Sequence, residues 1–402
     1  MLLFYFCTMQ GIKKVKFKGK RVLIRVDFNV PLDKKQHITD ASRIAAAIPT
    51  IKHVINNGGI AILISHLGRP KNKDPQLSLR PVAKRLSQLL NKDVGFSESC
   101  IGKKLFSKTR ELRDGEVILL ENLRYHEDEM RGGVEFAEEL ASLADIYIND
   151  AFGTAHRLHA STHTITAFFQ KTKFCGFLLE KEISNLNTVL TSPDRPFTAI
   201  IGGAKVSSKI NLILSLLKKV DKIIIGGGMA YTFVKAKGGD VGVSMVEKDK
   251  LTLAKHILKK AKEKKVDLIL PVDSVNSFAF NNNSPIDISI IRSIPKAKMG
   301  LDIGPKSIDL FKKHILLSKT ILWNGPMGVF EFSKFAKGTQ SVGEAVCSST
   351  SNGAFSLIGG GDSVAAAKKF GLTKGLSYIS TGGGAMLEYL EGKTLPAIKA
   401  LL

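Results

Sequence analysis

The chain has 402 residues, 44% of them hydrophobic, with 36 glycines and 13 prolines. This supports two or three packed domains rich in tight turns and excludes a disordered or fibrous protein. The formal net charge of +23 admits anionic small molecules or nucleic acid as partners, and the spread of basic residues favours small anions and solvated lysine faces.

In chain order, Val22–Val26 reads as a buried strand that runs into Asp27 and Asn29. Ala41–Asn56 has helical spacing, with Arg43 near its start. Strand Ile60–Ile64 ends on Ser65-His66-Leu67-Gly68-Arg69-Pro70. Helix Leu79–Leu90 and strand Val117–Leu120 follow, then Arg124. Helix Val134–Leu143 leads to strand Ile146–Ile148 and to Thr154-Ala155-His156-Arg157. The acidic run Glu127-Asp128-Glu129 between them reads as a solvated loop. The segment Gly176–Asn187, with a glycine entry and helical spacing, is the expected junction between two lobes.

In the second half, Thr198–Ile201, Ile223–Ile225, Leu268–Leu270, Thr320–Trp323, Phe355–Ile358 and Tyr378–Ser380 read as strands. Val206–Lys218 reads as an amphipathic helix and Lys255–Lys265 as a solvated helix face. Alternation of short apolar runs with helices predicts an α/β fold of parallel sheets covered on both faces. Ligands of such sheets lie beyond the carboxyl ends of the strands, where all these motifs fall.

Cys7, Cys100, Cys175 and Cys347 are far apart and form no Cys-x-x-Cys pair, so a reducing cytosol suits them. No apolar run is long enough to span a bilayer. Residues 1–7 are apolar but too short for a signal peptide, and the sequence alone does not decide between an extension ahead of a start at Met9 and a start at Met1.

Two kinds of anion grip stand in opposite halves. Gly202-Gly203-Ala204-Lys205 and Gly359-Gly360-Gly361-Asp362-Ser363 each follow a strand, so that glycine backbone can approach a phosphate and helix-start N–H groups can face it. Lys205 and Lys209 are one helical turn apart. The bland alternative for the first motif is an ordinary turn with two surface lysines. For Asp362 it is a simple N-cap, against a place beside Mg²⁺. Glu331 is either a ribose acceptor or an exposed loop acid. In the first half, Arg43, His66, Arg69, Arg124 and Arg157 suit a small ligand with several negative charges, since the planar guanidinium grips carboxylate or phosphate with two bonds. Asp27 and Asn29 add acceptors for hydroxyls. His156, His159 and His163 are too loosely spaced to argue for a metal. The dinucleotide fingerprint is missing, and Leu387 replaces the first glycine of a P-loop, which weakens a dehydrogenase and a P-loop NTPase.

Seven motifs in order resemble the phosphoglycerate kinase family, from about Val15 to Leu395. They are Arg25–Leu32, Ser65–Pro70, Glu121–His126, Asn149–Arg157, Gly202–Lys205, Trp323–Glu331 and Gly359–Asp362. The resemblance implies two Rossmann-like lobes joined by a hinge helix. Residues 1–176 with the tail 389–402 would bind 3-phosphoglycerate, and 177–388 the nucleotide. It implies reversible phosphoryl transfer between 1,3-bisphosphoglycerate and ADP, with Mg²⁺, in a cytoplasmic monomer that needs neither membrane nor specific nucleic acid. Asp27, Asn29, Arg43, His66, Arg69, Arg124 and Arg157 would hold the glycerate. Gly203, Lys205, Lys209, Gly227, Asn324, Glu331, Gly361, Asp362 and Ser363 would serve the nucleotide, Asp362 beside the metal. Arg43, Lys205, Gly360 and Gly361 would attend the moving phosphoryl group. Ser363 stands where Thr is also common, and Tyr378 where other members carry His.

Both nucleophiles of such a reaction, a phosphate oxygen and a carboxylate, are ionised near neutral pH, so no general base is required. The task is in-line positioning and charge cancellation, after closure flexing at Glu180–Asn187 and Thr381–Gly384. A nucleotide-dependent enzyme of another class and a nucleic-acid-binding protein are the rival readings.

Overall fold

The computed structural model describes residues 9–402, and the apolar residues 1–7, with Cys7, lie outside them. The chain forms two compact units. One runs through Ser184 and takes in Thr394–Leu402, and the other is Asn185–Lys393. Helix Phe177–Thr191 carries the chain from the first into the second.

The first unit is built on a six-stranded parallel sheet. Its strands are β1 (Arg21–Arg25), β2 (Ile60–Ile64), β3 (Gly95–Ser97), β4 (Val117–Leu120), β5 (Ile146–Asn149) and β6 (Lys173–Cys175), in the order β3-β4-β2-β1-β5-β6. β2 and β4 are buried along their whole length, as a sheet covered on both faces demands. Leu23 of β1 pairs with Ile62 of β2, and Ile24 with Leu63, and apolar faces of the helices Ser42–Asn56 and Arg80–Leu90 cover one side through Ile44, Ile51, Val82 and Leu86. The short edge strands β3 and β6 were not legible in the sequence.

The second unit repeats the design. Its main sheet holds β7 (Phe197–Ile201), β8 (Lys222–Ile225), β10 (Asp267–Ile269), β15 (Thr320–Asn324), β16 (Phe355–Ile358) and β17 (Tyr378–Ile379), in the order β10-β8-β7-β15-β16-β17 and parallel throughout. Two smaller sheets add to it. β9 (Asp240–Val241) pairs with β13 (Ser293–Ile294). β11 (Asp273–Ser277), β12 (Ile286–Ile290) and β14 (Met299–Ile303) form an antiparallel sheet that the sequence did not announce. β12 explains the omission, because Ile286, Ile288 and Ile290 point outward and are half exposed, the reverse of the usual apolar-in pattern.

One predicted helix is shorter than expected. Val206–Lys218 is helical only over Ile210–Leu216. The carboxylate of Glu247 takes both Ser207 N and Ser207 Oγ, at 3.0 and 2.5 Å, and holds 206–209 as a turn.

Candidate active site

In the first unit, four neighbouring strands (β4, β2, β1 and β5) end on the same edge and deliver the basic motifs there. Asp27 and Asn29 follow β1, His66 follows β2, and Arg124 follows β4 on a short 3-10 turn. Arg157 lies beyond β5, and Arg43 sits in the first turn of helix Ser42–Asn56. Arg43 Nη1 donates to Asp27 Oδ2 at 2.8 Å. Asn29 Oδ1 accepts from Gly68 N at 2.9 Å, and Arg124 Nη1 donates to Gly68 O at 2.6 Å, so the loop after β2 is gripped from both sides. Asn122 ties the same loop through Leu67 N and Leu67 O.

The cluster is short of negative charge. Burial, then Arg25, Arg124 and Arg43, hold His66 well below the ordinary imidazole value, so the ring is neutral. Burial and the neighbouring guanidinium of Arg25, with a contribution from Arg69, bring Arg124 down to about 10. Its Nε is buried without a hydrogen-bond partner, an orphaned donor of the kind an anionic ligand would satisfy. Arg69 and Arg157 are exposed.

In the second unit the glycine motifs line a pocket of about 410 Å³ at the ends of β7, β15 and β16. Lys205, Lys209, Asn324, Gly361, Asp362 and Ser363 all border it. Lys209 Nζ donates to Asn324 Oδ1 at 2.5 Å, and Asn324 Nδ2 donates to Gly359 O at 2.5 Å. Ser363 Oγ accepts from Gly325 N at 2.6 Å. Burial lowers the Lys209 ammonium, and the nearby charges of Asp362 and Glu391 oppose it.

The helix Gly361–Lys369 starts in this pocket with Gly360 as its N-cap, at φ +97°, and no side chain caps it. Asp362 therefore keeps its carboxylate, and the N-cap alternative is set aside. The Gly202–Lys205 loop is corrected in another respect. Because residues 206–209 form a turn, no helix start faces this loop, and Gly202 N and Gly203 N donate to Asn324 O at 3.0 Å and Pro326 O at 3.1 Å. Lys205 is exposed there.

A second, more apolar cavity of about 540 Å³ adjoins the first and shares Gly203, Ala204 and Asp362 with it. Gly227, Leu301, Met327 and Val329 line it, and Glu331 stands on its border. A glycine- and lysine-lined pocket joined to an apolar slot that carries two carboxylates, Glu331 and the shared Asp362, suits a nucleotide.

The description "Phosphoglycerate kinase" belongs to a family model that matches residues 12–393. The chain belongs to the phosphoglycerate kinase family. It is 53% identical to the phosphoglycerate kinase of Chlorobium phaeobacteroides, over 98% of this chain and 99% of the relative. It is 53% identical to that of Thermosynechococcus vestitus, over 98% of each. Among solved structures it is similar to phosphoglycerate kinase from Coxiella burnetii, with a TM-score of 0.88 and 40% identity over 98% of each chain. The structure from Pyrococcus horikoshii gives 0.85 and 33%, again over 98% of each chain. Two helix-covered parallel sheets of six strands are thus the fold of this kinase family.

Among the buried charges to which sequence reasoning assigned no role, two stand beside the phosphoglycerate kinase arginine cluster. Arg25 closes β1 and is 0% exposed, and Glu129 is also 0% exposed, which overturns the reading of 127–129 as a wholly solvated run. Only Glu127 and Asp128 face solvent. A charged residue at the end of an otherwise apolar buried strand was the available signal for Arg25.

Proposed function

We propose that the chain transfers a phosphoryl group reversibly between 1,3-bisphosphoglycerate and ADP, giving 3-phosphoglycerate and ATP. One observation carries this reading. An arginine-rich cluster stands at the end of one parallel sheet and a glycine-lined pocket at the end of another, two constructions that each suit an anion. The unit through Ser184 would take the glycerate ligand on Asp27, Asn29, Arg43, His66, Arg69, Arg124 and Arg157. The unit Asn185–Lys393 would take the nucleotide, with Gly203, Lys205, Lys209, Asn324, Gly361 and Ser363 around the phosphates. Gly227 would then lie along the base slot and Glu331 at the ribose.

Among the described residues no group of three or more His, Cys, Asp or Glu is placed to hold a metal. Mg²⁺ that arrives with a nucleotide needs only one or two protein carboxylates beside phosphate oxygens, and Asp362, uncommitted as a cap, fits that need. The ion would supply charge neutralisation on the phosphates. Arg43, Lys205 and the backbone N–H groups at Gly360 and Gly361 would cancel charge on the migrating group. Direct transfer needs the two ligands brought together with water excluded, which we assign to closure flexing at Glu180–Asn187 and Thr381–Gly384. Scattering should then record compaction only when both ligands are present.

We place the protein in the cytoplasm as a monomer. The described cysteines, Cys100, Cys175 and Cys347, are free thiols that suit a reducing compartment. No helix among the described residues is long and apolar enough to cross a membrane. The +23 charge is expected to give only salt-sensitive contact with nucleic acid. A coupled assay of ATP-dependent 3-phosphoglycerate phosphorylation, with and without Mg²⁺, tests the function directly. No turnover by folded protein with MgATP and 3-phosphoglycerate would sink it.

A further inference from the structure

Glu129 lies at the centre of a buried network. Its Oε1 accepts from Ser161 Oγ at 2.7 Å and its Oε2 from Ser161 N at 2.9 Å. Arg25 Nη2 stands 3.8 Å from Oε1, with neither side chain exposed at all. His159 Nδ1 is 3.7 Å from the same oxygen. A buried guanidinium without a counter-charge is strongly destabilising, and Glu129 is the carboxylate that answers it. The charged and titratable groups facing this knot also include Asp27, Arg43, His66, Cys100, Arg124 and Tyr147.

The three arms of Arg25 are all engaged. Nε donates to Ser161 Oγ at 2.8 Å, Nη1 to Val26 O at 2.5 Å, and Nη2 reaches His66 Nδ1 at 3.3 Å. A guanidinium can only donate, so Nδ1 of His66 must accept, and the single proton of a neutral ring sits on Nε2. Asp27 Oδ1, a competing acceptor near Nδ1, is 4.0 Å away, beyond hydrogen-bond reach. Burial and the surrounding guanidinium charges keep the ring neutral, in agreement with this assignment.

We propose that Glu129, acting through Arg25, is a positioning residue that holds His66 as an Nε2–H donor toward the bound anion. The inference rests on the assignment of His66 to the glycerate site. Glu129 neutralises Arg25 internally, which leaves Arg43, Arg69, Arg124 and Arg157 to balance the ligand. Through Ser161 it also fixes the segment that follows Arg157. Outer partners of metal-ligating histidines commonly change affinity about 10- to 100-fold when removed, and a change of the same order is expected here.

The test uses the full chain labelled with ¹⁵N-histidine, without ligand, with His66→Gln to assign the signal. Wild-type protein is expected to carry an unprotonated Nδ1 and a protonated Nε2 at neutral pH. In Glu129→Gln, which keeps the shape of the side chain, a mixture of the two ring tautomers is expected. The KM for 3-phosphoglycerate should rise about tenfold or more, with the KM for ATP unchanged. Glu129→Asp, which retains the charge, should recover part of the loss, and it serves as the test variant if the Gln form does not fold. A wild-type His66 protonated on Nδ1, or on both nitrogens, overturns the inference. So does an unchanged KM for 3-phosphoglycerate in the variants. If wild-type protein fails to phosphorylate 3-phosphoglycerate, the functional assignment falls, and the tautomer still decides the Arg25–His66 geometry by itself.

Discussion

Lys209 and Asn324 meet at 2.5 Å inside the glycine-lined pocket, and Asn324 passes the connection on to Gly359. The contact joins the loop after β7 to the ends of β15 and β16, so one side chain braces three strand ends. Lys209→Met keeps the aliphatic stem but removes the ammonium. It strands Asn324 Oδ1, which is expected to cost about 1–3 kcal/mol of stability. Loss of a charge-assisted bond to phosphate should weaken ADP by roughly 1.5–3 kcal/mol. Urea unfolding and ADP titration measure the two effects, and unchanged values in both would show that the brace is idle.

Lys205 differs from Lys209 in that it is exposed. Lys205→Ala should therefore unfold at the wild-type urea midpoint while kcat falls by about 10²–10³, as for other preorganised charge-stabilising donors. Steady-state turnover checks it, and a near-normal kcat would remove Lys205 from the reaction.

Two glycines of the pocket separate packing from ligand space. A Cβ on Gly202 would lie 2.1 Å from Pro326 O, whereas one on Gly361 would meet nothing within 4 Å. Gly202→Ala must push the 325–326 loop aside and should lose about 2 kcal/mol or more of stability. Gly361→Ala should leave stability intact and impair turnover only, because its methyl would occupy open space that the proposed site assigns to phosphate. A Gly361→Ala protein with full activity would move the phosphate elsewhere.

The sequence foretold the parallel core well because strands buried on both faces carry an unbroken apolar signal, as in Ile60–Ile64. It offered a candidate site because glycine turns and arginines at strand ends have few other uses. It failed where tertiary contacts override local pattern. Glu247 unwinds the first turn of a good helical sequence by capturing Ser207. Glu129 lies in an acidic run that looks solvated, yet it turns inward to meet Arg25, more than a hundred residues earlier. β12 has alternating isoleucines that face out. For Ser207 and Glu129 the deciding partner is distant along the chain, so no local window contains it.

Asp302, at the end region of β14, links pH to the second unit. It is 1% exposed, and its two oxygens accept from Gly338 N at 2.7 Å and Ile303 N at 2.9 Å. Gly328 of the loop bordering the apolar slot packs so closely on it that a Cβ there would lie 2.2 Å from Oδ1. Burial pushes this carboxyl from 3.8 up to about 7, against the two backbone bonds, which favour the anion. At acid pH the folded and unfolded chains both hold the proton, so Asp302 carries no penalty. As pH rises from 3.8 toward about 7 the unfolded chain releases its proton first, and the folded state loses relative stability. Above that range both are ionised and the loss is constant. The span corresponds to roughly 4 kcal/mol at most. Asp302→Asn cannot titrate, so the stability of wild type minus that of the variant should fall between about pH 5 and about pH 7 and then level off. Urea unfolding of both proteins across that range measures it. A difference that is flat, or that grows with pH, would mean that Asp302 is ionised in the folded protein throughout and that its two backbone donors outweigh its burial.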